Sequence, residues 1–241
     1  MPRPGVLGIR QLDFTFPIPS WDVIAKQAGS PFVSADWQTA WFEWRLLGGD
    51  RQNGDHFEVN VQRLMDAPSD TFTIFPGVVI QPGRYWWSRY ELQYLTSSGR
   101  PLSLAAFVNW GQFYGGHSTD LELSAVWRGG GHVILSTSLT RTTARLPVGA
   151  FTATLAANRL EYDFNTRTSL LAFVQYDNES ERVDFNVRFH WIPVIGDDVY
   201  LVWNSGFTTD PLSPFRFPDT RALARPLNGA VVLKVVHRLT P

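Results

Sequence analysis

The sequence predicts an all-β protein, an antiparallel up-and-down transmembrane β-barrel of about twelve strands. Three observations carry this expectation. The first is alternation. Val183, Phe185, Val187, Phe189 and Trp191 interleave with Asp184, Asn186, Arg188 and His190. A period of two places the apolar set on one face of a strand and the polar set on the other. The runs beside it repeat the pattern: Leu170, Ala172, Val174 and Tyr176 share a face, as do Val199, Leu201 and Trp203, while Leu160, Tyr162 and Phe164 lie opposite Arg159, Glu161 and Asp163. Turns around Asn165-Thr166, Asn178 to Ser180 and Ile195 to Asp198 join the four runs into a meander. The second observation is composition. The 241 residues are 14% aromatic, with 10 Trp, but only 18% charged, with 2 Met. A soluble core concentrates Leu, Ile, Val and Met, whereas aromatics spread over alternating strands suit the girdles of a barrel at its two lipid–water boundaries. The third is the alternation of long and short connections along the chain.

Taken in order, a first strand over about 8–16 ends at Pro17 and Pro19. Residues 21–28 form the best helical candidate, closed by Gly29 and Pro31. A second strand, about 37–47, sets Phe42, Trp44 and Leu46 opposite Glu43 and Arg45, and a turn over 48–55 follows. The third sets Phe57, Val59 and Val61 opposite Glu58, Asn60 and Gln62. A loop over 65–83, containing FPGVVIQPG, leads to the fourth, RYWWSRYELQYL, with Trp86, Tyr90, Leu92 and Tyr94 opposite Arg89, Glu91 and Gln93. The fifth carries Leu102, Leu104, Ala106, Val108 and Trp110, before the Gly-aromatic loop GQFYGGHS. The sixth sets Leu121, Leu123, Ala125 and Trp127 against Asp120, Glu122 and Ser124. The seventh carries Val133, Leu135 and Leu139, and residues 143–149 read as a loop. The four runs described above are strands eight to eleven. A Pro-rich stretch to Asn228 and a last strand over 230–239 complete the chain.

Nearly every long connection in this order is odd-numbered. Transmembrane barrels show this asymmetry, with long outer loops and short periplasmic turns, whereas Greek-key sandwiches have no reason to. Strands near ten residues match a tilted bilayer crossing. Hydrocarbon offers backbone groups no water, so sheets that span it must close. In such a barrel the apolar rows face lipid. Trp44, Trp86, Trp127, Trp191 and Trp203 are the candidate girdle, near strand ends. The polar rows face the lumen, with Arg45, Glu58, Arg89, Glu91, Glu122, Arg159, Glu161, Asp184, Arg188 and Lys234 as lumen candidates beside Glu43, Asp120 and Gln175. Such residues cross-link into a filled interior or line a narrow polar pore.

The remaining chemistry is sparse. Net charge is −1, without the basic face that nucleic acid requires. There is no Cys, hence no disulfide framework or thiolate metal site. No apolar run reaches the roughly 18 residues of a membrane helix, and MPRPGVLGIRQLDF has no signal-peptide core. Arg128 to His132 is Gly-rich but joins two strands, so it reads as a turn rather than a phosphate loop. No nucleophile elbow or H-E-x-x-H motif occurs, and the five His are scattered without ligand spacing. No catalytic residue, cofactor or metal site is expected. Asp177, Glu179, Glu181 and Asp184 cluster at a hairpin, as a solvated loop or a cation-bridged contact with lipopolysaccharide. The aromatics Phe113, Tyr114, Phe215 and Phe217 either anchor loops or stack on sugar rings.

FPGVVIQPGRYWWSRYELQY, the GQFYGG loop, RLEYDFNTRTSLLAFVQYD and NVRFHWIPVIGDDVYLVWNSG resemble a family of bacterial proteins of unknown function. In that family an N-terminal carbohydrate-binding family 9-like domain precedes a C-terminal outer-membrane β-barrel. The resemblance covers most of the chain from about Gly8. It implies an outer-membrane location, a single barrel domain over 1–241 that is the C-terminal part of a longer protein, and lipid, lipopolysaccharide and the barrel assembly machinery as partners. It also implies an oligosaccharide link and carries no catalytic motif. One departure is that the chain ends on Leu-Thr-Pro rather than the aromatic residue common at the end of outer-membrane strands. The expected function is a structural or transport module. A barrel enzyme and a soluble β-sandwich binding module are the alternatives.

Overall fold

The computed structural model describes residues 8–26, 36–209 and 223–238. Every element in it is a strand: β1 Ile9–Asp13, β2 Ser20–Ala25, β3 Trp37–Arg51, β4 His56–Asp66, β5 Phe72–Phe75, β6 Val78–Ile80, β7 Tyr85–Leu95, β8 Leu102–Phe113, β9 Gly116–Gly129, β10 Val133–Leu146, β11 Gly149–Asn165, β12 Thr168–Asp177, β13 Arg182–Trp191, β14 Asp198–Thr209 and β15 Leu223–Val236. Thirteen form one antiparallel sheet in the order β1-β3-β4-β7-β8-β9-β10-β11-β12-β13-β14-β15, with β2 also on β3, and β5 and β6 form a separate hairpin.

β1 and β2 lie along the same edge of β3. Their ladders run from Ile9↔Arg51 to Asp13↔Gly48, then from Ser20↔Glu43 to Ala25↔Trp37. Residues 14–19 interrupt the strand but stay tied to β3: Thr15 N donates to Arg45 O at 3.0 Å, and Trp44 Nε1 donates to Pro17 O at 3.2 Å. Counted as one stave, the pair brings the sheet to twelve. The helix expected over 21–28 is instead β2 as far as Ala25. Its ladder sets Trp21, Asp22 and Val23 opposite Phe42, Trp41 and Ala40, and this pairing outweighs a weak local helical pattern. The end of that candidate, residues 27 and 28, lies outside the described residues.

Two connections are tighter than expected. β8 and β9 meet at Tyr114-Gly115, with φ of 41° and 79°. Two positive φ values in a two-residue hairpin make the turn whose twist matches its strands, and glycine suits the second position. Residues that read as a loop therefore continue the strands. Likewise only residues 147–148 separate β10 from β11. The even-numbered connections never exceed six residues, and the third, residues 67–84, holds the β5–β6 hairpin. The ladders follow nearest-neighbour order without a Greek-key crossing. The sheet is not closed into a barrel: among the described residues no ladder joins β15 to β1 or β2.

The chain divides into two compact units. One comprises residues 1–100, 104–123 and 140–153, and the other 101–103, 124–139 and 154–241. In the first unit burial is inverted. Along β4, Glu58, Asn60 and Gln62 are buried while Phe57, Val59 and Val61 are only partly so. Trp86, Tyr90, Leu92 and Tyr94 are exposed along β7, with Trp87 and Arg89 buried between them. One buried apolar cluster of this unit, Ala40, Met65 and Ala67, lies off the polar face, and the larger one lies at one end of the polar face. There Val78, Ile80, Trp87, Tyr114, Ala144 and Leu146 are buried together.

In the second unit the four long runs read from the sequence lie in matched register. Leu160, Ala172, Val187, Trp203 and Val231 form one apolar row across five strands, and Tyr162, Leu170, Phe189, Leu201 and Leu233 form the next. Register is pinned because a slip of one residue would exchange the two faces.

Candidate functional site

The polar face of the first unit builds one connected network. β3 supplies Glu43 and Arg45, β4 Glu58, Asn60 and Gln62, β7 Arg89 and Glu91, β8 Asn109 and β9 Asp120. Alternation alone aims all of them to one side. A bulge between Arg45 and Leu47 then resets β3. It leaves Leu46 and Leu47 both exposed and brings Gly48 opposite Glu58 and Asp50 opposite His56.

Arg45 is clamped between Asp13 and Glu58, the latter at 2.7 Å. His56 holds Asp50 at 2.9 Å on Nδ1 and Glu58 at 2.8 Å on Nε2. Asn60, 1% exposed, donates to Glu58 at 3.0 Å and to Glu91 at 2.9 Å. Gln62 donates to Glu43 at 2.8 Å and to Glu91 at 3.3 Å, and receives Asn109 Nδ2 at 3.0 Å. Arg89 reaches Asp120 at 2.5 Å and the carbonyl of Asn109 at 3.0 Å. Arg45 and Arg89 are thus spent on Asp13, Glu58 and Asp120. Among the described residues Glu43 and Glu91 have no ion-pair partner and rest on amide donors. Buried Asn60 Oδ1 and Ser118 Oγ have no protein partner among the described residues.

Asp55, outside the strands and 2% exposed, lies at the turn end of these strands. Its carboxylate accepts Tyr94 Oη at 2.8 Å, Ser97 N at 3.1 Å and Asn53 Nδ2 at 3.0 Å, and pairs with Arg100 at 2.6 Å. Burial works to raise its pKa, but the Tyr94, Ser97 and Arg100 donors prevail and hold the carboxyl below the usual carboxylate range. At the opposite end Tyr114 donates to Asp66. Burial, and then Asp66, push the phenol well above its ordinary value.

Of the lumen candidates, the structure brings Arg45, Glu58, Arg89 and Glu91 into this network. Glu122 follows on β9 and is exposed. The candidates of the second unit form only local pairs: Arg159 with Glu161 at 2.7 Å, and Asp184 with Arg182 at 2.7 Å. Arg188 is exposed, and Lys234 lies 5.9 Å from the Tyr200 ring centroid. His190 stacks on Tyr200 at 4.3 Å and bonds Asp198 at 2.8 Å. A shallow cavity of about 690 Å³ lies there, lined by His132, Asp163, Arg167 and His190 among others. Asp177 accepts Glu179 N and Ser180 Oγ, both at 2.8 Å, so the acidic hairpin is held by turn bonds.

Among the girdle candidates, Trp86, Trp127, Trp191 and Trp203 are 38%, 46%, 46% and 43% exposed. Trp44 is half-buried against the 14–19 segment. Trp44 and Trp203 stand in mid-strand rather than near the ends, because β3 and β14 extend past their apolar runs. Phe113 and Tyr114 pack in the apolar core as anchors, and Phe215 and Phe217 lie outside the described residues. Asp13, Asp50, Asp55, His56 and Asn109 do not stand out in the sequence. Alternation places Asn60 and Gln62 on the polar face, but only the neighbouring strands bury them. Comparison of the chain with protein-family models, with curated proteins and with solved structures returns no match.

Proposed function

We propose that this chain is an outer-membrane β-barrel module with a structural or transport role, its apolar rows against lipid and its polar rows around a lumen. The observation that carries the reading is the inverted burial. Glu58, Asn60, Gln62 and Arg89 are 8%, 1%, 7% and 7% exposed, while Trp86, Tyr90, Leu92, Trp110, Leu201 and Trp203 are 37–49% exposed. In water this arrangement is costly on both counts: apolar area left wet forfeits about 25 cal/mol per Å², and buried carboxylates lose hydration. In a bilayer the first cost disappears, and turning the carboxylates outward into lipid becomes the costlier alternative.

Three further points support it. Twelve staves in nearest-neighbour order give the first and last opposite directions, as antiparallel closure requires. Asn60 Oδ1 and Ser118 Oγ, buried without a protein partner, fit an interior wetted by water. The family resemblance of the sequence points the same way, and adds lipopolysaccharide and the assembly machinery as partners and oligosaccharide as a cargo or sensed ligand.

The test is refolding into detergent and then into vesicles. A closed barrel migrates differently in unboiled and boiled gel samples, and brominated lipid quenches its outward tryptophans. A monodisperse protein in plain buffer, with no lipid quenching, would overturn the reading.

A further inference from the structure

We infer that the β5–β6 hairpin is an in-folded plug, a hydrophobic constriction that sets what passes the lumen. This inference rests on the barrel reading. The hairpin belongs to the longest connection whose course is described in full, yet it does not extend away from the sheet. Its turn is Phe75-Pro76-Gly77-Val78, with Gly77 at φ +81°, a conformation glycine adopts without strain. Val78 and Ile80 are 4% and 2% exposed, while Val79 between them is 38% exposed. One face of the hairpin is therefore seated and the other is not.

The seat lies on the polar side of the sheet. By alternation Leu64 continues the row of Asn60 and Gln62, Trp87 the row of Arg89 and Glu91, and Phe113 the row of Asn109. The hairpin packs with all three and reaches Leu146 and Phe151 on β10 and β11. Phe75 stacks on Phe151 at 4.9 Å, and Phe72 meets Tyr114 edge-on at 5.9 Å. The approach to β11 is close enough that a Cβ on Gly149 would stand 3.3 Å from Val78. Arg89 lies 5.7 Å from the Phe113 ring centroid, so the polar network begins directly beneath the apolar cluster. A passage along this face meets this apolar cluster and then carboxylates and amides. Apolar constrictions of this kind hold a pore shut by dewetting.

Two measurements on the refolded full chain test this. In planar bilayers, wild type is compared with a variant whose residues 71–81 are replaced by a short Gly-Ser linker. The expected result is conductance at least about threefold higher in the variant. The chain has no Cys, so Val78→Cys and Val79→Cys each give a single thiol in an otherwise intact hairpin. Val79→Cys should react with a bulky maleimide at least about tenfold faster than Val78→Cys. Equal conductance from two proteins that both show heat-shifted migration would overturn the plug and leave the barrel standing. Equal labelling rates would overturn the docked hairpin. Absence of any heat shift in wild type would remove the barrel reading and the plug with it.

Discussion

Asp55 shows how one side chain ties two connections together. Its carboxylate gathers donors from Asn53, Tyr94, Ser97 and Arg100, and so locks the turn after β3 to the one after β7. Its folded pKa is depressed. The stability it contributes is therefore fully present above the unfolded value near 3.9 and is lost as pH falls from there through the folded value. Asp55→Asn keeps one acceptor but removes the charge. We expect a lower urea midpoint than wild type from pH 5 to 8, with the gap closing below about pH 4. Tryptophan fluorescence at each pH measures it, and a gap that widens in acid would contradict the assignment. Tyr114 acts at the other end, where burial and the bond to Asp66 keep its phenol a donor throughout the accessible pH range.

At the scale of the element, the bulge in β3 is the sharpest device. Were Leu46 paired with Val59 in an unbulged ladder, Leu47 would turn to the polar side and Asp50 would leave His56. Deleting Leu46 keeps Leu47 opposite Val59 and Asp50 opposite His56 and should shift the urea midpoint little, whereas inserting an alanine after Leu47, which moves Asp50 off His56, should cost about 1–3 kcal/mol. Adjacent residues of β14 give a second test. Leu201 lies in an apolar row, and Val202 opposes Arg188 in the polar one. Arginine on the lipid face of a barrel near mid-bilayer costs about 2–4 kcal/mol, so under the proposed barrel reading Leu201→Arg should destabilise the vesicle-inserted protein by that order. Val202→Arg should cost well under half as much. Equal costs would mean that the two faces do not meet different solvents.

The meander and its two-faced rows are legible in the sequence, because a period of two and turn residues act locally, whereas the expected twelve strands are fifteen, thirteen of them in one sheet. β2 was not: its pattern over six residues is too short to distinguish from a helix turn, and its pairing with β3 decides the matter. The Tyr114-Gly115 turn was hidden for a related reason. Tyrosine at positive φ is uncommon, and here its ring is held by Tyr85 and Trp87 from a distant stretch of chain, besides the adjacent Phe113. The site was half legible. Arg45, Glu58, Arg89 and Glu91 follow from alternation, but nothing local links Asn60 to Glu91 or Arg45 to Asp13.

What the sequence determined by itself is which side chains share a face, since that depends only on the geometry of an extended backbone. What the tertiary structure decided is which of those faces is buried, where the carboxylates find their donors, and that the β5–β6 hairpin folds back over the polar row. Each of these depends on contacts between residues tens of positions apart, and no local pattern encodes them.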